Sequence, residues 1–511
     1  MNFLFDTNVL IALEPTSPDH VEAGTERSAR LVARLNETGH RILLHSVGLG
    51  ELQRDPDDAR RRTRVVLIRK YGVLPAPPSV PASMRATLGP PTDSHSAVDD
   101  EILAAIVGSA AHHLVTEDRG LHRKARTLGV GERVLTVNEA LELLDRLHPG
   151  PPEPPPAVES CLAHELDFHD PIFDSFRDDY GQADFNDWFA RAQREHRPAW
   201  IIHRHGEVAA VSLVKDERSG SDLRFSEPTL KVSSFKVSDR HSGHRFGELL
   251  LRAVFEYAAA QSYEHLYLSV FDRHEALIAL LMEFGFSIVS ERRSAHGELY
   301  MHKPLSPAVD PDSNAADLSA LEHHRRYGPP ALPPNPPATY LVPIQERYRQ
   351  MLFPDAGTQR QLALDRQRPY ANAIRKAYLC HAPIRRLDVG AIVAFYESAP
   401  TQAVGVIGVV EATLRSSDPG QIVGFVSNRT VYPLDEVETM CRHAEVLAIV
   451  FRLDRVLTRP VPLEALGELC FSGRLLGTVV LVCDSRGDGC ERRAGDVGTG
   501  GSARGAGRSG R

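Results

Sequence analysis

Two stretches of this chain can lie inside neither a helix nor a sheet, and they decide how the rest must be divided. "HPGPPEPPPA" runs from His148 to Ala157. Proline fixes φ and removes a backbone donor, so such a run reads as an extended spacer. A second proline-rich stretch, 304–337, contains "SPAVDPDSNAAD" and "YGPPALPPNPP". The Gly/Arg/Ser-rich tail, 483–511, has the composition of disorder. Three foldable units remain, 1–147, 158–303 and 338–482, and 511 residues is the length of roughly three domains. No internal repeat is visible.

Composition narrows the setting. Hydrophobic residues make up 42% and charged residues 25%, as in soluble globular proteins. A formal net charge of −8 gives no global basic field for nucleic acid, though a local patch is compatible with it. Six cysteines are scattered without paired metal spacing, which suits a reduced cytoplasmic location. The first apolar run is broken by Asp6 and Asn8, so no signal peptide is expected, and no apolar stretch reaches membrane-spanning length.

The first unit alternates apolar strands with helices, which predicts a parallel-sheet α/β fold with functional groups at the carboxyl ends of the strands. Acids fall where such ends would be. Asp6 follows the strand of "FLFDTNVLI", and Glu51 follows "HSVGLG". Asp99 and Asp100 open the helix "EILAAIVGSAA", and Asp118 follows the strand of "HLVT". Each has a plain alternative as a helix cap, since Asp, Thr and Asn satisfy orphan N–H groups. Clustered carboxylates otherwise point to a hard cation.

In these motifs, with "LVTEDRGLHRKA", the unit resembles the PIN-domain ribonucleases, including toxins of bacterial toxin–antitoxin pairs. The resemblance implies Asp6, Glu51, Asp100 and Asp118 as catalytic acids binding Mg²⁺ or Mn²⁺. Thr7 or Asn8 would orient Asp6, Thr116 would support Asp118, and Glu117 could assist. Asp99 competes with Asp100, which is preferred because it preserves the helix pattern. RNA is the implied partner, with an antitoxin or a second copy of the chain as a further one. "RRRTRVVLIRK" (Arg60–Lys70) is either a phosphate-binding cluster or a solvated helix face.

In the second unit, "WIIHRHGEVAAVSLVKD" reads as two strands around a His-Gly turn. A strand over Lys231–Val237 then enters a glycine-containing loop and a helix near Gly247, whose first N–H groups can cradle a phosphate. The strand "HLYLSVF" and a helix ending in "EFGF" follow. That order is similar to the GNAT acetyltransferases, whose loop seats the pyrophosphate of acetyl-CoA. The positions carried over are Ser242, Gly243, His244, Arg245, Phe246, Gly247 and Glu248. The chain departs from the family with Ser242 at the loop's first position and Arg245 in place of a glycine. It departs again with His274 for the usual Asn and Leu281 for the usual general-acid Tyr. Tyr300 is the alternative acid, and the acyl acceptor is unspecified.

The third unit alternates in "AIVAFYES" and "AVGVIGVVEAT", which predicts a small β-barrel. Its strand pattern resembles the PUA-like superfamily, including ASCH and EVE modules, and implies RNA recognition. Lys376, Tyr378, His381, Phe395, Tyr396, Arg429 and Tyr432 would supply a base-stacking surface. Barrel core is the alternative, and it is preferred for Phe395. Three whole-chain readings result: a metal-dependent ribonuclease with acetyltransferase and RNA-binding parts; an N-acetyltransferase whose first unit serves docking; and a non-catalytic scaffold sensing acyl-CoA.

Overall fold

A computed structural model describes residues 1–13, 24–52, 68, 71–149, 157–204, 206–217, 223, 225, 228–241, 243–310, 317–354, 367–369, 374–382, 384, 387–397, 402–462, 465 and 479–481. The tail 483–511 and all of Arg60–Lys70 except Ile68 lie outside them.

The first sheet comprises β1 (Asn2–Phe5), β2 (Arg41–Leu44), β3 (Gly72–Val73), β4 (His113–Val115) and β5 (Val134–Leu135). All pair in parallel in the order β3-β2-β1-β4-β5. Both faces are covered, which is why β1 reads as an unbroken apolar run. Phe3 and Phe5 join one apolar cluster while Leu4, between them, joins another. The helices are α1 (Thr7–Leu13), α2 (Thr25–Glu37), α3 (Ser46–Leu52), α4 (Ala82–Leu88), α5 (Ser94–Val107), α6 (Arg119–Thr127) and α7 (Val137–Leu147).

The second sheet contains β6 (Ala157–Leu162), β7 (Pro198–Arg204), β8 (Glu207–Asp216), β9 (Thr229–Val237), β10 (His265–Val270), β11 (Ser287–Arg293) and β12 (Leu299–Pro304). Helices α8 (Asp174–Tyr180) and α9 (Gln182–Arg194) connect β6 to β7. Helix α10 (Phe246–Ala260) carries the chain from β9 to β10, and α11 (Glu275–Glu283) follows β10. Neighbouring strands run antiparallel except β9 and β10, which are parallel.

The second proline-rich stretch is more than a spacer. Helix α12 (Ala320–Tyr327) forms within it behind a capping box in which Ser319 and Glu322 satisfy each other's backbone N–H groups. Next come β13 (Thr339–Ile344), α13 (Glu346–Leu352), β14 (Gln367–Pro369), β15 (Arg375–Cys380), β16 (Ile392–Glu397) and β17 (Ala403–Ser416). Helices α14 (Pro419–Val426) and α15 (Leu434–His443), then β18 (Val446–Pro462) and β19 (Val479–Leu481), complete the described elements. The third sheet has the order β15-β18-β17-β16-β13-β19, while β14 pairs with β6 of the second sheet. Among the described residues no pairing joins β15 to β19, so closure into the expected barrel is not seen. No helix among them is long and apolar enough to cross a membrane.

The first and third units share a core. Phe3, Leu135 and Leu144 belong to the same buried cluster as Tyr340, Val423, Val426 and Ile449. Asn428 Nδ2 also donates to the Glu139 carbonyl in α7 at 2.9 Å. Leu144→Ala in this cluster should therefore lower the unfolding free energy by about 2–5 kcal/mol. Because the cluster is continuous, amide exchange should accelerate in α7 and β18 together; a change confined to α7 would show that the two cores are independent.

Candidate functional site

Strands β9 and β10 diverge. They pair only where Thr229–Lys231 meets His265–Tyr267, yet β9 continues to Val237 and β10 to Val270. The outer edge of β9 stays bonded to β8 up to Val237, and that of β10 to β12 throughout. The cause lies in the register of β8 and β9. Leu213 faces Ser234 and Val214 faces Val232, leaving Ser233 as an extra residue on β9. A bulge bends its strand, and this one sits just past the last β9–β10 pair. The inner edge of 232–237 is then free of a strand partner among the described residues, and such an edge can bond an extended chain of amides.

Helix α10 begins at the open end of this wedge. No side chain caps it: Arg245 occupies the N-cap at φ 58°, the left-handed region. Gly247 lies so close to α11 that a Cβ there would come within 2.8 Å of Leu280 Cδ2. Gly243, at φ +90°, is packed against the start of α7, with Glu139 N 3.0 Å from where a Cβ would stand. Helix α7 belongs to the first unit, so the loop expected to hold a pyrophosphate lies at a joint. Ser242 lies outside the described residues.

Charges converge on that joint. Arg245 donates to Glu132 Oε2 at 3.0 Å, and Arg429 and Arg375 donate to Glu132 Oε1 at 2.9 and 2.8 Å. Glu248, in the first turn of α10, accepts the backbone N–H groups of Ile374 and Arg375 at 2.8 and 2.6 Å. Arg375 also bonds Glu283, and Glu411 at 2.7 Å. His244 contacts Glu142 of α7, and burial pushes its imidazole down to about 4. Burial alone would raise the Glu132 carboxyl, but Arg429, Arg375 and Arg245 hold it well below the ordinary carboxylate range. Glu248 is lowered in the same way by Arg429 and Arg245 against its burial.

Beyond the wedge, the turn after β10 meets the end of α8. Asp179 Oδ2 lies 3.2 Å from His274 Nε2, and Arg273 donates to Asp179 Oδ1 at 2.5 Å. Tyr180 donates to Glu298 at 2.5 Å. His274 precedes α11, whose Leu280 touches Gly247, so one short helix spans the wedge mouth from the start of α10 to the Asp179–His274 pair. Sequence reasoning marked His274 only as a departure; its partner Asp179, 95 positions earlier, carries no local signal. Leu281 is buried in the core, and Tyr300 pairs with Ser269 near the end of β10. The uncapped helix end, the arginines and the free strand edge suit acetyl-CoA, with Glu132 sharing the cations its phosphates would use.

The first unit's acids are placed at adjacent strand ends. Asp6 accepts from Thr7 N at 2.7 Å and from Thr116 Oγ1 at 2.6 Å. Thr116 Oγ1 in turn accepts from Asp118 N at 3.0 Å and from Asn8 Nδ2 at 3.1 Å, so that of the pair expected beside Asp6 it is Thr7 that bonds it and Asn8 that bonds Thr116. Asp118 also caps α6 through Leu121 N at 3.0 Å. Burial raises the Asp6 carboxyl, against hydrogen bonds from Thr116 and Thr7 and with help from Asp118. Asp99 is raised by burial against Lys124, with smaller contributions from Asp118 and Asp6. Asp100 is held by Lys124 at 2.9 Å and Arg85 at 3.9 Å. Lys124 also bonds Asp99 at 3.2 Å, so the two neighbours share that cation. Glu117 accepts from Val137 N at 2.9 Å. Glu51 lies in the last turn of α3, and its side chain lies outside the described residues. Among the described residues, which do not include the Glu51 side chain, no three His, Cys, Asp or Glu side chains form a metal-ligand set.

In the third unit the expected base-stacking surface is mostly interior. Lys376, Tyr378, His381, Phe395, Arg429 and Tyr432 are all buried, and only Tyr396 is partly exposed. Lys376 Nζ donates to the Leu352 carbonyl and Tyr378 to that of Pro343, both at 2.7 Å. Both faces of the sheet are covered here, so alternation marks two packed sides rather than one wet side.

Residues 165–286 match the family model described as Acetyltransferase (GNAT) family. Similar solved structures include nourseothricin acetyltransferase, 22% identical over 22% of this chain and 67% of that one, with a TM-score of 0.18. PaiA N-acetyltransferase from Thermoplasma acidophilum, in complex with coenzyme A, is 12% identical over 25% of this chain and 74% of that one, at 0.20. An N-acetyltransferase from Staphylococcus aureus Mu50 is 21% identical over 24% and 77%, also at 0.20. No curated protein matches the chain.

The ion network sets a pH dependence. Glu132 and Glu248 have folded pKa values below their unfolded ones, so their stabilisation is complete above the ordinary value of 4.5 and is lost as pH falls through the folded values. Thermal midpoints should start to decline below about pH 6.5, where the unfolded state protonates His244, and fall more steeply below about pH 4.5 as this network is lost. Glu132→Gln should flatten that fall, and an unchanged acid slope would remove Glu132 from the linkage.

Proposed function

With a GNAT acetyltransferase domain at residues 165–286 as the premise, we propose that this chain is an acyl-CoA-dependent N-acyltransferase. The observation that carries the reading is the wedge between β9 and β10, opening onto the uncapped start of α10. Backbone groups of 232–237 would bond the amides of the pantetheine arm. The first N–H groups of α10, with Arg245, would hold the phosphates. Bound acetyl-CoA supplies an activated thioester carbonyl. His274, oriented by Asp179, takes a proton from the attacking amine as the C–N bond forms and the C–S bond breaks. Tyr300 is the candidate to protonate the departing thiolate, since Leu281 has no proton to give. His274→Ala should lower kcat by about 100-fold while leaving the KM for acetyl-CoA near its original value. An unchanged kcat would remove His274 from the proton path.

A second reading assigns phosphodiester cleavage of RNA to the first unit. It is favoured by the parallel sheet that brings Asp6 and Asp118 to neighbouring strand ends, where Asp99 also feels both charges. End-labelled cellular RNA should then be cut by the full chain in Mg²⁺ or Mn²⁺, spared in EDTA, and spared by Asp6→Asn/Asp118→Asn. Equal cutting by the double variant would end this reading. If it holds, the third unit's packing on the first makes it a support for the nuclease unit, with Tyr396 the remaining base-stacking candidate.

A further inference from the structure

The anionic group at the start of α10 belongs to the protein. Glu132 lies on the turn between α6 and β5 of the first unit and reaches Arg245 at the N-cap of α10. The same carboxylate holds Arg375 and Arg429 of the third unit. A carboxylate bonded by three guanidinium groups beside an uncapped helix end satisfies the electrostatic demand that a phosphate would satisfy there.

The rest of the contact behaves as a latch around that carboxylate. Gly243 packs on the first turn of α7, and His244 touches Glu142 about one turn further along it. On the third unit's side the chain turns through Ser427 at φ 44°, unusual for a side chain with a Cβ. Ser427 Oγ and Asn428 Oδ1 are buried there without a hydrogen-bond partner. Buried polar atoms left unpaired weaken a joint relative to its ion pairs. What ties Glu132 to the second unit is its ion pair with Arg245, and charge is what an incoming polyphosphate can exchange.

We infer that Glu132 and the pyrophosphate of acyl-CoA compete for Arg245 and the start of α10, so that cofactor binding releases the first unit's 131–142 edge from the second unit. The inference rests on the acyl-CoA reading above and adds to it a coupling between cofactor occupancy and the unit bearing Asp6 and Asp118. By reciprocity, loosening the edge must strengthen cofactor binding by the same factor.

Coenzyme A itself, titrated into the full chain by calorimetry, tests this without requiring turnover. Glu132→Gln keeps the side chain's shape and removes its charge, and it should bind coenzyme A about tenfold tighter than the parent chain. In the parent chain, saturating coenzyme A should accelerate amide exchange in 131–142, a readout independent of how well the variant folds. Equal affinity of folded parent and variant, with exchange in 131–142 unchanged on binding, would overturn the competition while leaving the acyl-CoA reading standing. Absence of binding to both folded proteins would overturn the acyl-CoA reading and the latch together. Arg245→Ala provides the opposite sign: it should speed exchange in 131–142 without ligand, yet weaken coenzyme A binding. Tighter binding by that variant would contradict Arg245 as the shared partner.

Discussion

Glu132 accepts from Arg245 on one side and from Arg375 and Arg429 on the other, so one carboxylate touches the second and third units from its place in the first. Glu248, Glu283 and Glu411 extend the network around the same arginines. Largely buried ion pairs add less to stability than their number suggests, because each charge has left water. They do fix geometry, since removing one partner leaves the others uncompensated. The loop 243–248 therefore takes its position from three parts of the chain rather than from its own turn chemistry.

That constraint frames the acyltransferase reading. A wedge made by one extra residue in β9 gives an open strand edge, and α10 begins beside it. These follow from backbone geometry and need no particular acid at position 281. What the chain adds is an Asp179–His274 pair at the wedge mouth and a carboxylate at the phosphate end. The first feature suits proton transfer from an amine, and the second makes access to the loop depend on how the units are docked.

Much of the framework was legible locally. Period-two alternation located β7 and β8 around the His-Gly turn, and the apolar runs of β1 and β4 located the strand ends bearing Asp6 and Asp118. The glycine-containing loop before α10 was placed by its own residues. The joint was not legible, because Arg245 and Glu132 lie 113 positions apart; Arg245 reads as a loop cation for a phosphate, and Glu132 carries no local signal. Helix α12 was hidden for another reason. Its Ser319–Glu322 box is a recognisable start, but the surrounding prolines suggested only a spacer. Lys376 and Tyr432 were misplaced at a surface because alternation cannot say whether a sheet's second face is wet or covered.

The most direct measurement is amide hydrogen exchange along β9 and the start of α10, with and without acetyl-CoA. The account predicts new protection at 232–237 and at 246–249, where the open strand edge and the uncapped helix end gain partners. Unchanged exchange in both segments at saturating acetyl-CoA would contradict it.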